Sequence, residues 1–157
     1  MVWTDIGFGK YPDKTLPQVL LSDPDYFFWG IDSDAFAKRP YLANEAEMLD
    51  RRARSVKIPN NANSELEVEH VVLLTDNSYV RFDIESVDVP PHRGGSTGIR
   101  APHLDFSVPR AYKQYDKSGY KQFIKGFKTH ILANSTSRIT KKLAEDFFSD
   151  ANNFANP

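Results

Sequence analysis

Residues 68–87 read VEHVVLLTDNSYVRFDIESV, and this stretch decides the fold class. Val68 to Leu74 and Tyr79 to Val87 are β-branched and apolar runs of strand length. Thr75-Asp76-Asn77-Ser78 between them is a hairpin turn by composition. In the second run Val80, Phe82, Ile84 and Ser86 alternate with Tyr79, Arg81, Asp83 and Glu85, which predicts one dry face and one wet face. Upstream, Val56 to Pro59 reads as a short strand and 60–64 as a loop. Downstream, Val89-Pro90-Pro91 ends the hairpin and 92–98 reads as a flexible loop. His103 to Val108 alternates as a further strand.

Helical periodicity lies on both sides of this β region. Toward the C-terminus, Tyr120, Phe123, Ile124, Phe127 and Ile131 form the apolar stripe of a helix over about 118–132. A last helix is expected from Arg138 to about Asp150, capped by Ser135-Thr136-Ser137, with a fraying tail over 151–157. Toward the N-terminus, Thr15 caps a short helix over 16–21. Asp23 and Pro24 supply the N-cap and first position of another, and its Tyr26-Phe27-Phe28-Trp29 cluster must be largely buried. Leu42, Ala46, Leu49 and Ala53 mark a third helix over about 40–54. The expected fold is α+β: a small antiparallel sheet, an aromatic-rich helical N-terminal module, and two C-terminal helices packed on the sheet. It is expected to be a single domain over 1–157, with the module at 1–55 and strands followed by helices at 56–157.

The chain has 157 residues and 17.9 kDa, with 40% hydrophobic and 26% charged side chains. A chain of this size buries enough surface to fold without a metal or a disulfide. The absence of cysteine excludes a disulfide scaffold, a thiolate metal site and a cysteine nucleophile. No apolar run is long enough to cross a bilayer and no signal-peptide core opens the chain, so a cytoplasmic protein is expected, without membrane association.

The net charge is −1, but residues 108–142 carry nine basic side chains and a single acid, Asp116. Arg110, Lys113, Lys117, Lys121, Lys125, Lys128, Arg138, Lys141 and Lys142 are therefore candidate phosphate contacts, with Tyr115 among them as a stacking ring. Lys121, Lys125 and Lys128 recur at helical spacing and predict a lysine row on one face. The alternative is a solvated face balanced by acids from elsewhere in the fold.

Phe8-Gly9-Lys10-Tyr11, Lys14-Thr15-Leu16-Pro17, Asp25-Tyr26 and Trp29 together resemble the FGKYKGK-type module at the C-terminal end of exodeoxyribonuclease X-like proteins, which also occurs in stand-alone bacterial and phage proteins. The resemblance covers about residues 6–31. Pro12-Asp13-Lys14 replaces the second Lys-Gly of the pattern, and Ser22-Asp23-Pro24 is an added step. The resemblance implies an association with nucleic acid and no assigned catalytic residues.

Other chemistries are weaker. Gly9-Lys10 can set an ammonium near a phosphate, but the surrounding residues lack the spacing of a Walker loop. Arg93, Gly94, Gly95, Ser96, Thr97 and Arg100 offer glycine amides, hydroxyls and two guanidiniums for an anion, and with Lys10 they form the second candidate ligand group. Asp83-Ile84-Glu85 puts two carboxylates on one strand face, as a metal-dependent exonuclease requires. Only 72 residues follow Glu85, too few for the rest of such a fold. His92, His103 and His130 are followed five positions on by Thr97, Val108 and Ser135, none acidic. No two of the four histidines stand at metal-ligand spacing. No catalytic residue, metal or cofactor is expected.

The leading expectation is a non-enzymatic nucleic-acid-binding accessory protein of bacterial or phage origin, taking DNA before RNA. A protein-interaction factor acting on a host enzyme or defence complex is the alternative, and a nuclease using Asp83 and Glu85 the second. The charge argument leaves the oligomeric state open.

Overall fold

The computed structural model describes residues 1–59, 63–133 and 138–157. Its elements follow in the order α1 (Leu16–Ser22), α2 (Pro24–Asp32), α3 (Pro40–Ala53), β1 (Leu66–Leu73), β2 (Tyr79–Ser86), β3 (Ser96–Ala101), α4 (Val108–Tyr112), α5 (Lys117–His130) and α6 (Lys141–Ser149), closed by a 3-10 turn at Ala151–Asn153. The fold is α+β, with a three-stranded antiparallel sheet and helices toward both ends of the chain. Among the described residues no helix is long and apolar enough to cross a membrane. The chain divides into two units: Met1–Val56 together with Arg138–Pro157, and Lys57–Ser137.

The first unit is helical. Before α1 the Gln18 side chain accepts from the Thr15 amide at 3.0 Å, and before α2 the Asp23 carboxylate accepts from the Tyr26 amide. Both starts lie where cap chemistry places them. Helix α3 buries Leu42, Ala46, Leu49 and Ala53, the stripe read from its periodicity. Phe27, Phe28 and Phe36 are fully buried. A side chain at Gly30 would overlap the Phe36 ring, so glycine is needed there for packing. Helix α6 packs on α1, which differs from the expectation that both late helices cover the sheet.

The end of the chain does not fray. Phe154 is 2% exposed, lies among the rings of Phe147 and Phe148, and forms a bridge with Val56. The Ala155 amide donates to the Ser55 carbonyl at 2.8 Å. The strand expected at 56–59 is reduced to that one bridge. The expected 135–137 cap lies outside the described residues, as does the 60–62 part of the expected loop. Thr140 caps α6, its hydroxyl accepting from the Leu143 amide at 3.1 Å.

The second unit is built on the hairpin. Strand order is β2-β1-β3. The turn closes with the Leu73 amide donating to the Ser78 carbonyl at 2.9 Å, and the Asp76 carboxylate accepts from the Ser78 amide. His70 stands opposite Phe82, and Val71 opposite Arg81. After an irregularity between Val71 and Val72, Val72 stands opposite Tyr79. This one-residue slip turns Tyr79 onto the dry side, so it is buried rather than wet as strict alternation required. Helix α5 packs against β2 through Tyr120, Phe123 and Phe127.

The two elements approach closely at Gly126, where an added Cβ would stand 2.8 Å from the Phe82 ring. Gly126→Ala is therefore expected to lower stability by about 2 kcal/mol through overpacking, read as a shifted urea midpoint. A midpoint equal to wild type would mean that α5 has room to move away.

Residues 103–108 are not a strand. The Asp105 carboxylate accepts from the amide and hydroxyl of Ser107 at 2.8 and 2.7 Å, a local turn that removes those groups from any ladder. Val108 then opens α4, with Pro109 in its first turn. Conversely, Ser96 to Ala101, half of it read as loop, is β3, paired from Val68↔Ala101 to Leu73↔Ser96.

Candidate nucleic-acid interface

The Asp116 carboxylate starts α5, accepting from the Gly119 amide at 2.9 Å and from the Tyr79 amide at 3.0 Å. The helix is thereby anchored to the head of β2. Its apolar side faces the sheet, so Lys117, Lys121, Lys125 and Lys128, spaced four, four and three, fall on one outward stripe. Lys117, Lys121 and Lys125 are exposed and Lys128 is half-buried. The only acid within or capping α5 is the buried Asp116. Among the described residues none of the four lysines is paired with a carboxylate. Lys113 is exposed, reaches toward the Ser78 hydroxyl at 3.5 Å, and lies in the field of Asp76. Arg110 is half-buried in α4. Tyr115, between α4 and α5, is 61% exposed.

Arg138, Lys141 and Lys142 belong to the first unit, so the basic segment read as one run is divided between two bodies. Lys142 pairs with Asp146 one turn on. Arg138 and Lys141 join Lys14 on a cleft of about 480 Å³ between α1 and the start of α6, where no carboxylate stands among the described lining residues. Sequence reading missed Lys14 as a member of this group; its partners are more than a hundred residues away in the chain.

The second ligand group comes apart. The Lys10 ammonium lies 3.1 Å from the Asp23 carboxylate and above the Tyr11 ring. Partial burial would raise the Asp23 carboxyl, but the Tyr11 hydroxyl, the Lys10 ammonium and the Tyr26 amide outweigh it and hold it below its ordinary value. Gly9 has a positive φ, and a side chain there would strike the Tyr26 hydroxyl. The Gly9-Lys10 turn therefore packs against α2.

Arg100 is committed too. Its Nε donates to the Glu69 carboxylate at 2.8 Å, and its two terminal nitrogens donate to the Ser86 and Val89 carbonyls. The same Glu69 oxygen accepts from the His92 amide at 3.1 Å. Ser96 and Thr97 are in β3, with the Ser96 hydroxyl 2.6 Å from the His92 ring. Arg93, Gly94 and Gly95 remain exposed. The two guanidiniums of the expected anion loop thus have different fates, because one ties the 87–92 segment to the sheet.

Asp83 and Glu85 face Glu69 and Glu67 across β1, and Asp83 pairs with Arg81 at 3.0 Å. Among the described residues no group of three or more histidine or acidic side chains is placed to hold a metal ion. His70 is fully buried, with Nδ1 2.6 Å from the Tyr79 hydroxyl. His103 and His130 are half-buried, and His130 lies against the Phe82 ring.

Compared with protein-family models, with curated proteins and with solved structures, the chain gives no significant match.

Proposed function

We propose that this protein is a non-enzymatic nucleic-acid-binding accessory protein whose α5 lysine stripe holds the phosphate backbone, with DNA as the preferred polymer. The observation that carries the reading is the α5 stripe itself: four lysines on one outward line, without a carboxylate partner among the described residues. Such a line spans about 16 Å of helix and presents a field that a polyanion feels before contact. The likeness of residues 6–31 to a module found with nucleases supports the same reading by association.

Each phosphate neutralised by a lysine releases counterions and steepens the salt dependence. With four lysines engaged on duplex DNA, log K against log salt is expected to fall with a slope of about −3 to −4. Replacing Lys121, Lys125 and Lys128 with Glu is expected to weaken binding about tenfold or more at low salt, for every base sequence alike, and to flatten that slope. Fluorescence anisotropy over a salt series measures both. Salt-independent binding, or a charge-reversed variant that binds like wild type, overturns the proposal.

A further inference from the structure

Lys14, Arg138 and Lys141 line one cleft within the first unit, and the stability of the fold does not account for them. Thr140 caps α6, so Lys141 and Lys142 take its first two positions. A helix start carries partial positive charge and favours acids, yet the first turn of α6 holds none. Lys142 is offset by Asp146. Among the described residues Lys14, Arg138 and Lys141 have no carboxylate partner. Glu145, one turn after Lys141, accepts from the Thr15 hydroxyl at 3.1 Å. The Lys14 ammonium lies over the Tyr11 ring, 5.2 Å from its centroid, a contact that leaves the charge uncancelled. Three cations therefore share a cleft where the helix start and their own repulsion disfavour them.

From this arrangement we infer that the α1–α6 cleft is a binding site for a small organic diphosphate. Its volume of about 480 Å³ lies within the range of small-molecule sites. Leu21 and Ala144, both buried, belong to the lining and give an apolar part of the ligand a surface to lie on. Phosphate oxygens suit these cations: the arginine fork takes two of them, and each lysine supplies a compact charge. A phosphate monoester ionises a second time at about pH 6, so a terminal diphosphate carries about three negative charges at neutral pH, one for each cation. The start of α6 attracts the same charge, and an anion in the cleft relieves the repulsion among the three side chains. The α5 stripe belongs to the second unit, so this site stands or falls without it.

Isothermal titration calorimetry tests the site with two probes: pyrophosphate, and isopentenyl diphosphate, which adds a short branched hydrocarbon to the same group. Pyrophosphate is expected to bind, and isopentenyl diphosphate to bind several-fold more tightly. Lys14→Gln and Lys141→Gln are each expected to weaken both about tenfold. Lys38→Gln, which alters an exposed lysine outside the cleft lining, is expected to bind like wild type. Lys141→Gln should also keep or raise the thermal midpoint, because it removes a cation from the positive end of α6; a lysine held for structure would lower it. If Lys14→Gln fails to fold, Arg138→Gln takes its place, since Arg138 is exposed ahead of α6. A wild type that does not bind pyrophosphate, or equal binding by all the variants, overturns the site and leaves the α5 proposal standing. So does displacement of pyrophosphate by an oligothymidylate without a terminal phosphate, which would assign the anion to the polymer surface. A hydrocarbon that adds no affinity overturns the organic part of the ligand.

Discussion

Arg100→Ala is expected to destabilise the second unit by about 3–5 kcal/mol, because it leaves a buried carboxylate without its counter-ion. Glu69 and Arg100 are only 6% and 11% exposed at their side chains. Little water can replace the lost guanidinium, and among the described residues the His92 amide is the one donor left to the charge. The Ser86 and Val89 carbonyls lose a donor as well, so the 87–92 segment should loosen from the sheet. Glu69→Gln added to Arg100→Ala removes the stranded charge and is expected to recover part of the loss, in a double-mutant cycle with a clear coupling term. Both tryptophans, Trp3 and Trp29, belong to the first unit, so tryptophan emission is the wrong probe. Hydrogen exchange at the Val68–Val72 amides reports on the sheet itself. Protection in Arg100→Ala equal to wild type would show that the pair holds nothing together.

His70 should make the second unit acid-sensitive well above the range of ordinary carboxylates. Burial pushes its pKa down from the usual 6.5 to about 4, since the ring lies among Tyr79, Phe82 and Phe123. Nε2 is buried without a hydrogen-bond partner among the described residues. The unfolded chain therefore takes up a proton between pH 6.5 and 4 that the folded chain refuses. Stability is complete above about pH 6.5, declines as pH falls toward 4, and loses about 3 kcal/mol in all from this group. Below pH 4 the histidine contribution is flat. The direct measurement is the NMR titration of the His70 ring, with a midpoint expected near 4. The second is the stability difference between wild type and His70→Leu across the same window. A ring that titrates near 6.5 would mean that water reaches the buried face.

How far the sequence could be read follows from which signals are local. The hairpin, the caps of α1 and α2 and the stripes of α3 and α5 are patterns within a few turns or strand residues, and the chain adopts them. Strand β3 escaped notice because Ser96-Thr97-Gly98 has loop composition. Its pairing depends on Gly98 leaving space for the Glu69 carboxyl, which an added Cβ would approach to 2.8 Å. Residues 103–108 misled in the opposite direction: Leu104 and Phe106 alternate and are buried, yet the Asp105 turn takes them inward one at a time. Tyr79 changed sides because of a single slipped residue, which periodicity cannot register.

The candidate site divides in the same way. The lysine row on α5 is a local pattern and was legible. The commitments of Lys10 to Asp23 and of Arg100 to Glu69 join residues 13 and 31 positions apart. Arg138 and Lys141 meet Lys14 on the α1–α6 cleft only because the chain returns to its first unit after residue 137. The left-handed backbone at Tyr115, φ +56°, has no compositional mark at all, since tyrosine is not the residue that such a turn selects.

That return has a consequence for synthesis. The first unit needs Val56 to meet Phe154 and Ser55 to meet Ala155, so its earliest segment leaves the ribosome long before its last partner exists. The intervening unit is one continuous segment and can close without waiting for residues 138–157. Folding should therefore proceed from the intervening unit outward, with the aromatic segment of the first unit left apolar and uncovered until residues 138–157 join it.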